Sequence, residues 1–182
     1  MNAGKSTNLL QAAFNYRERG MKPLLLSPLI DTRNGSGKIS SRLGLQSDAF
    51  GVDSSADVFN LMKGQHLANQ IDCILVDEAQ FLTEDQVKQL AACVDELNIP
   101  VLCYGLRTDF QGNLFPGSKL LLGWADNICE IKTICHCGKK ATMNIRIDSN
   151  GTPVATGQQV EIGGNERYVA VCRKHFTSKK LC

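Results

Sequence analysis

The chain has no long apolar run, no signal-peptide pattern and no large surplus of charge of either sign. The first two absences argue against a membrane-spanning helix and give the expectation of a cytoplasmic protein. The third, a formal net charge of +2, leaves no basic stripe, so neither nucleic acid nor an anionic membrane is expected as the main partner. Internal repeats and low-complexity stretches are missing too. What is there is an ordinary soluble composition. With 182 residues, 43% hydrophobic and 21% charged, the chain supports one domain with a small appendage and can bury a real core.

The first residues, Met1-Asn2-Ala3-Gly4-Lys5-Ser6-Thr7, carry the second half of the G-x-x-x-x-G-K-[ST] pattern. There, backbone N–H groups cradle phosphates and the lysine reaches the terminal ones. Asn8 to Arg19 reads as the helix that such a loop requires, with Gly20 at its C′ position. A bare Gly-Lys-Ser can also cap an ordinary helix. Its weight rises with Cys73-Ile74-Leu75-Val76-Asp77-Glu78, about seventy residues on: an apolar strand ending in an acidic pair. Asp77 is placed to hold Mg²⁺ together with the Ser6 hydroxyl, and Glu78 to face the reacting centre. A solvated strand end is the other reading of that pair.

Around these motifs the first hundred residues alternate helices and strands. Leu9, Leu10, Ala13 and Phe14 recur at helical spacing, and Leu24 to Ser27 is a short apolar strand. Asp57 to Ala68 reads as a helix with Val58, Leu61, Met62 and Leu67 inward. Thr83-Glu84-Asp85-Gln86 is a capping box ahead of a helix reaching about Leu97. Pro100 ends it, and Val101 to Tyr104 is the next strand. Apolar strands joined by helical crossovers predict a parallel, doubly wound α/β sheet over residues 1–131, with the ligand edge at the strand C-termini. Asp31-Thr32-Arg33 and Arg107 with Asp109 follow strands and belong to that edge. Phe81, Phe110, Phe115 and Tyr168 could wall a pocket for a flat ring or simply pack the core.

From about Lys132 helical periodicity disappears. Short β runs such as Ile145 to Ile147 and Tyr168 to Val171, separated by glycine-rich loops, predict a small β appendage over residues 132–182. Its last residues, from Ser178, read as a frayed tail. The chain holds eight cysteines. Cys73, Cys93 and Cys103 lie in apolar segments and read as core residues. Cys135-x-Cys137 and Cys172-x-x-His175 supply four ligands in two pairs, the count of a closed structural zinc site. Gly138, Lys139 and Lys140 suit a knuckle turn there, and His136, a competing ligand, is expected to point away.

Together these residues resemble the type II thymidine kinase family, bacterial branch, over nearly the whole chain. The resemblance rests on Met1 to Ser6, Asp31-Thr32-Arg33, Asp77-Glu78-Ala79-Gln80-Phe81 and Tyr104 to Phe110. Ile162-Gly163-Gly164-Asn165-Glu166-Arg167-Tyr168 and the four zinc positions complete it. It implies a RecA-like P-loop sheet with a zinc-bearing lasso domain, and transfer of the γ-phosphoryl of ATP to the 5′-hydroxyl of thymidine. It further implies Glu78 as catalytic base. The ATP contacts it implies are Met1, Asn2, Ala3, Gly4, Lys5, Ser6, Thr7, Asp31, Arg33, Asp77, Glu78, Ala79 and Gln80. Around thymidine it implies Met1, Phe81, Leu106, Phe110, Phe115, Asn144 and Tyr168, with the lasso from about Asn144 to Tyr168 closing through backbone hydrogen bonds. Mg²⁺, structural Zn²⁺ and a homotetramer come with the resemblance.

One departure stands out. The family pattern begins earlier, with a strand and the first half of the loop, and the expectation is weakened or absent ATP binding. Two other functions therefore stay open: a P-loop ATPase acting on nucleic acid, and an inactive zinc module on a truncated P-loop.

Overall fold

A computed structural model describes residues 3–29, 37–161 and 166–181. The first helix, α1 (Lys5–Glu18), starts behind Gly4, whose φ of +78° favours glycine. It stops where Gly20, at φ +73°, donates its N–H to Arg17 O. Leu9, Leu10 and Ala13 are buried, whereas Phe14, expected inward, is 53% exposed.

Strands β1 (Pro23–Pro28), β4 (Phe50–Val52), β5 (Cys73–Val76) and β6 (Val101–Cys103) form one parallel sheet in the order β4-β1-β5-β6. The short strands β2 (Lys38–Ser40) and β3 (Gln46–Asp48) pair as a separate hairpin before β4. Strand residues alternate between two cores. Leu24, Leu26, Ile74 and Val76 pack with α2 (Val58–Asn69) and α3 (Glu84–Leu97). Leu25, Cys73 and Leu75 pack with α1 on the opposite face. Helices therefore cover both faces, which explains why β1 and β5 lack polar alternation.

Helix α3 begins at the predicted capping box, with Thr83 and Gln86 bonded reciprocally to each other's backbone. Buried Gln86 also donates to Asp53 O at 2.7 Å, tying this helix to the chain that leads into α2. In α2, Val58 and Met62 face inward as expected, but Leu67 is 79% exposed. At about 100° per residue, its place nine residues beyond Val58 puts it on the opposite side of the helix. Helix α4 (Pro116–Trp124) has proline in its first turn, a start signal that the sequence reading passed over.

The C-terminal part has its own cluster: Cys135, Ala141, Ile145, Val171 and Cys172. It comprises the ribbons β7 (Thr133–Ile134) with β8 (Lys140–Ala141) and β9 (Met143–Arg146) with β10 (Tyr168–Val171). Helicity does return here, in α5 (Arg173–Ser178). The predicted frayed tail is also corrected, since Leu181 packs against this cluster and Lys180 N–H bonds His175 O.

Candidate active site

The C-terminal ends of β1, β5 and β6 meet the start of α1 at a cleft of about 850 Å³. Ser6 Oγ donates to Asp77 Oδ2 at 2.8 Å, although the two residues are 71 apart in sequence. Lys5 Nζ lies 3.8 Å from Glu78 Oε1. Both acids are carried past the end of β5: Asp77 N–H bonds Leu26 O of β1, and Ala79 N–H bonds Tyr104 O beyond β6. Glu78 turns the chain with φ +48°, a conformation that costs free energy and is held by this surrounding backbone.

The acids are held differently. Asp77 is 6% exposed, and burial pushes its carboxyl above the ordinary 3.8, helped by the neighbouring Glu78 charge. The Ser6 hydroxyl opposes that rise. Glu78 Oε2 accepts from Gln80 Nε2 at 2.5 Å, while Gln80 Oε1 accepts from the Leu106 N–H at 2.9 Å. That N–H can only donate, so it sets the orientation of the Gln80 amide. A Cβ at position 105 would lie 2.9 Å from Gln80 Oε1 and 3.0 Å from Gln80 N, so a side chain there would displace this amide.

The aromatic residues singled out in the sequence belong to the same cleft. Phe81, Leu106, Phe110, Phe115, Asn144 and Tyr168 all line it, as do Ala3, Gly4, Lys5, Ser6 and Thr7. Phe81 and Phe115 meet edge to face at 5.7 Å. Ala79 is fully buried beneath the floor and does not line the cleft. Arg107 is exposed and outside it. Asp109 is buried and lines the cleft, but its Oδ1 caps its own loop by accepting from Gln111 and Asn113 N–H. The readings at Met1, Asn2, Asp31, Thr32, Arg33 and residues 162–165 lie outside the described residues.

Sequence reasoning passed over Arg146, which is 2% exposed, and Gln159, which reaches Asp109 Oδ2 at 3.0 Å. Arg146 lies on a β run that had been recognised, but nothing local marks a buried arginine. Its partners come from three separate segments.

Cys135, Cys137, Cys172 and His175 gather with their ligand atoms within 4.8 Å of one another. Three thiols and one imidazole fit a tetrahedral zinc ion. Gly138, at φ +79°, makes the knuckle by donating to Cys135 O. Burial pushes the Cys135 thiol up, but the Cys137 and Cys172 backbone and His175 outweigh it and hold the thiol at about 6, well below 9.0. His136 does not point away: its ring stacks on His175 at 4.3 Å and its Nδ1 lies 3.6 Å from Cys135 Sγ. The three cysteines expected in the core, Cys73, Cys93 and Cys103, do lie in apolar surroundings, whereas Cys129 is exposed. Cys73 and Cys93 are buried and Cys103 half-buried, and burial pushes the Cys93 thiol up to about 11. Among the described residues no helix is long and apolar enough to cross a membrane.

A lysine at a helix start facing an acidic strand end, on a parallel sheet wrapped by helices, is an arrangement that suits phosphoryl transfer. The sequence model of the thymidine kinase family matches residues 1–176. The thymidine kinase of Photobacterium profundum is 60% identical over 176 residues, covering 97% of this chain and 92% of that protein. That of Rhodopirellula baltica is also 60% identical, covering 97% and 83%. The Zymomonas mobilis enzyme is 59% identical, covering 98% and 93%. The chain belongs to the thymidine kinase family.

Proposed function

We propose that this protein transfers the γ-phosphoryl group of ATP to the 5′-hydroxyl of thymidine, giving dTMP and ADP. The observation that carries the reading is the double juxtaposition of Ser6 with Asp77 and Lys5 with Glu78 at one end of the cleft. Phosphoryl transfer asks for positioning and charge stabilisation, and these four side chains supply both. Glu78 takes the proton of the 5′-hydroxyl as its oxygen bonds to the γ-phosphorus and the bond to the β-phosphate oxygen breaks. Lys5 and the first N–H groups of α1 hold the phosphates, with the positive helix end toward them. Asp77 and Ser6 are the protein groups that would hold Mg²⁺, which supplies charge neutralisation of the β- and γ-phosphates when bound.

Thymidine occupies the aromatic end between Phe81, Phe110, Phe115 and Tyr168, with Leu106 and Asn144 beside it. We read the sheet as RecA-like, with residues 1–131 as the nucleotide-binding domain and residues 132–182 as the lasso domain. Cys135, Cys137, Cys172 and His175 would hold a zinc ion there in a structural role, since four protein donors would complete a tetrahedral shell. Family resemblance supports a cytoplasmic homotetramer, and Asp31 and Arg33 beside the phosphoryl path.

The test is ADP release by the purified chain with MgATP, with and without thymidine, beside Glu78→Gln. Thymidine-dependent release that disappears in the variant is the expected result. Equal release with and without thymidine would reject it.

A further inference from the structure

Arg146 is the most deeply buried charge in the C-terminal part, and none of the chemistry above uses it. Its guanidinium lies 3.8 Å from the centroid of the Phe110 ring and 5.4 Å from that of Tyr168. Nε donates to Tyr168 OH at 3.2 Å, and that hydroxyl donates onward to Glu161 O at 2.8 Å. One terminal nitrogen, Nη2, donates to Gln159 O at 3.2 Å, and Nη1 lies 3.4 Å from Glu161 Oε2. Arg167 pairs with the same Glu161 carboxylate. Close packing continues behind it: a Cβ at Gly157 would lie 3.3 Å from Arg146 Nη1.

An arginine cannot shed its proton, so burying one is costly unless every direction of its fork is answered. Here the answers come from the body loop that carries Phe110, from the 159–161 segment and from Tyr168 on β10. Phe110, Tyr168, Gln159 and Glu161 all line the cleft, whereas Arg146 itself stands behind them. The body loop and the segment are joined again by Gln159 Nε2 to Asp109 Oδ2 at 3.0 Å and by Gln111 Nε2 to Ala155 O at 3.2 Å.

We propose that Arg146 is a positioning residue for the nucleoside: its guanidinium clasps Phe110, Tyr168 and the 159–161 backbone into one wall. This rests on the reading of the aromatic end as the thymidine site. Because the clasp sits at that end and away from Lys5, Asp77 and Glu78, it governs nucleoside affinity and not the phosphoryl-transfer step. A lysine would keep the charge and the cation–π contact with Phe110, but it is a single point where the fork reaches three partners.

The experiment compares wild-type protein with Arg146→Lys and with Tyr168→Phe, which keeps the ring and deletes the bridging hydroxyl. The expected result is a rise of about tenfold in KM for thymidine in Arg146→Lys, the size of one lost charge-assisted hydrogen bond. kcat and KM for ATP should stay within about twofold, with bound zinc unchanged. Tyr168→Phe should show a smaller rise, and the double variant less than the product of the two, because they share one bond. Hydrogen exchange in the free protein supplies an arm independent of catalysis: amides of 153–161 should exchange faster in Arg146→Lys, with the α/β body unaffected. Unchanged exchange in that segment overturns the clasp, whether or not thymidine is the substrate. An unchanged KM for thymidine with faster exchange overturns its role in nucleoside binding. A kcat that falls while KM for thymidine holds does the same. If Arg146→Lys does not fold, Tyr168→Phe alone decides, and an unaltered KM there rejects the proposal. Wild-type protein that does not saturate with thymidine would reject the reading of the site, while the exchange arm still judges the clasp.

Discussion

Ser6 and Asp77 share a hydrogen bond of 2.8 Å across the mouth of the cleft, the hydroxyl donating to a carboxylate that is 6% exposed. This single hydroxyl does not offset the loss of water around the charge, and burial leaves the Asp77 carboxyl above its usual 3.8. A carboxyl whose folded pKa is raised contributes stability that is fully present below the unfolded value. That contribution is lost as pH rises through the folded one.

Ionised Asp77 is therefore a cost to the free protein at neutral pH. Asp77→Asn should raise the melting temperature at pH 7 in the absence of nucleotide and magnesium, by about 2–4 °C for each kcal/mol recovered. The gain should shrink toward pH 4, where the native carboxyl takes up its proton. Phosphoryl transfer should be lost in the same variant, a trade of function for stability. A melting temperature that drops at pH 7 contradicts the electrostatic account.

Glu78→Gln removes the carboxylate proposed to accept the 5′-hydroxyl proton while keeping the size of the side chain. kcat should fall by about 10²–10⁴-fold, the usual worth of a positioned base, with KM for ATP and thymidine little changed. A loss confined to KM would move Glu78 from chemistry to binding.

Gly117 lies in α4 where a Cβ would sit 2.7 Å from both Ala79 O and Leu82 O. Those carbonyls belong to the turn that carries Gln80, and the next residue, Ser118, bonds Leu106 O at 2.5 Å. Gly117→Ala should cost about 1–3 kcal/mol through overpacking. Gly123, in the same helix, has nothing within 4 Å of its Cβ position. Gly123→Ala should be neutral or stabilising by about 0.5–1 kcal/mol. Equal effects in thermal melts would show that helix propensity, not the close approach, decides.

The Cys135 thiol is held at about 6 against an ordinary 9.0, the effect of burial being outweighed by the Cys137 and Cys172 backbone and His175. A depressed folded pKa favours the native state above the unfolded value, and that advantage is lost as pH falls through the folded one. Zinc rebinding by metal-stripped protein should therefore weaken as pH falls through neutral, where protons hold Cys137, whose thiol the neighbouring Cys135 and Cys172 sulfurs push up. It should go on weakening below about pH 6, as protons compete for Cys135 too. Affinity that stays flat down to pH 5 would be incompatible with this ligand.

The local signals read well because they are short-range. The capping box at Thr83, the apolar run Cys73 to Val76 and the paired Cys135/Cys137 and Cys172/His175 each sit within a few residues, where spacing alone constrains chemistry. The acidic pair could be assigned to a strand end for the same reason. Phe14 and Leu67 were misplaced because apolar character does not by itself choose a helix face. His136 was misjudged because stacking on His175 depends on a residue far along the chain.

By itself, then, the sequence determined the alternation of elements, the buried parallel sheet, the four clustered candidate metal donors and the acidic pair at the strand end. All of these follow from period, turn chemistry and ligand spacing. Only the tertiary structure decided that Gln80 is locked between Glu78 and Leu106, and that Arg146 gathers Phe110, Tyr168 and the 159–161 segment. Those contacts join residues distant in the chain. They are selected by which polar groups burial forces to find partners, and no local pattern encodes that.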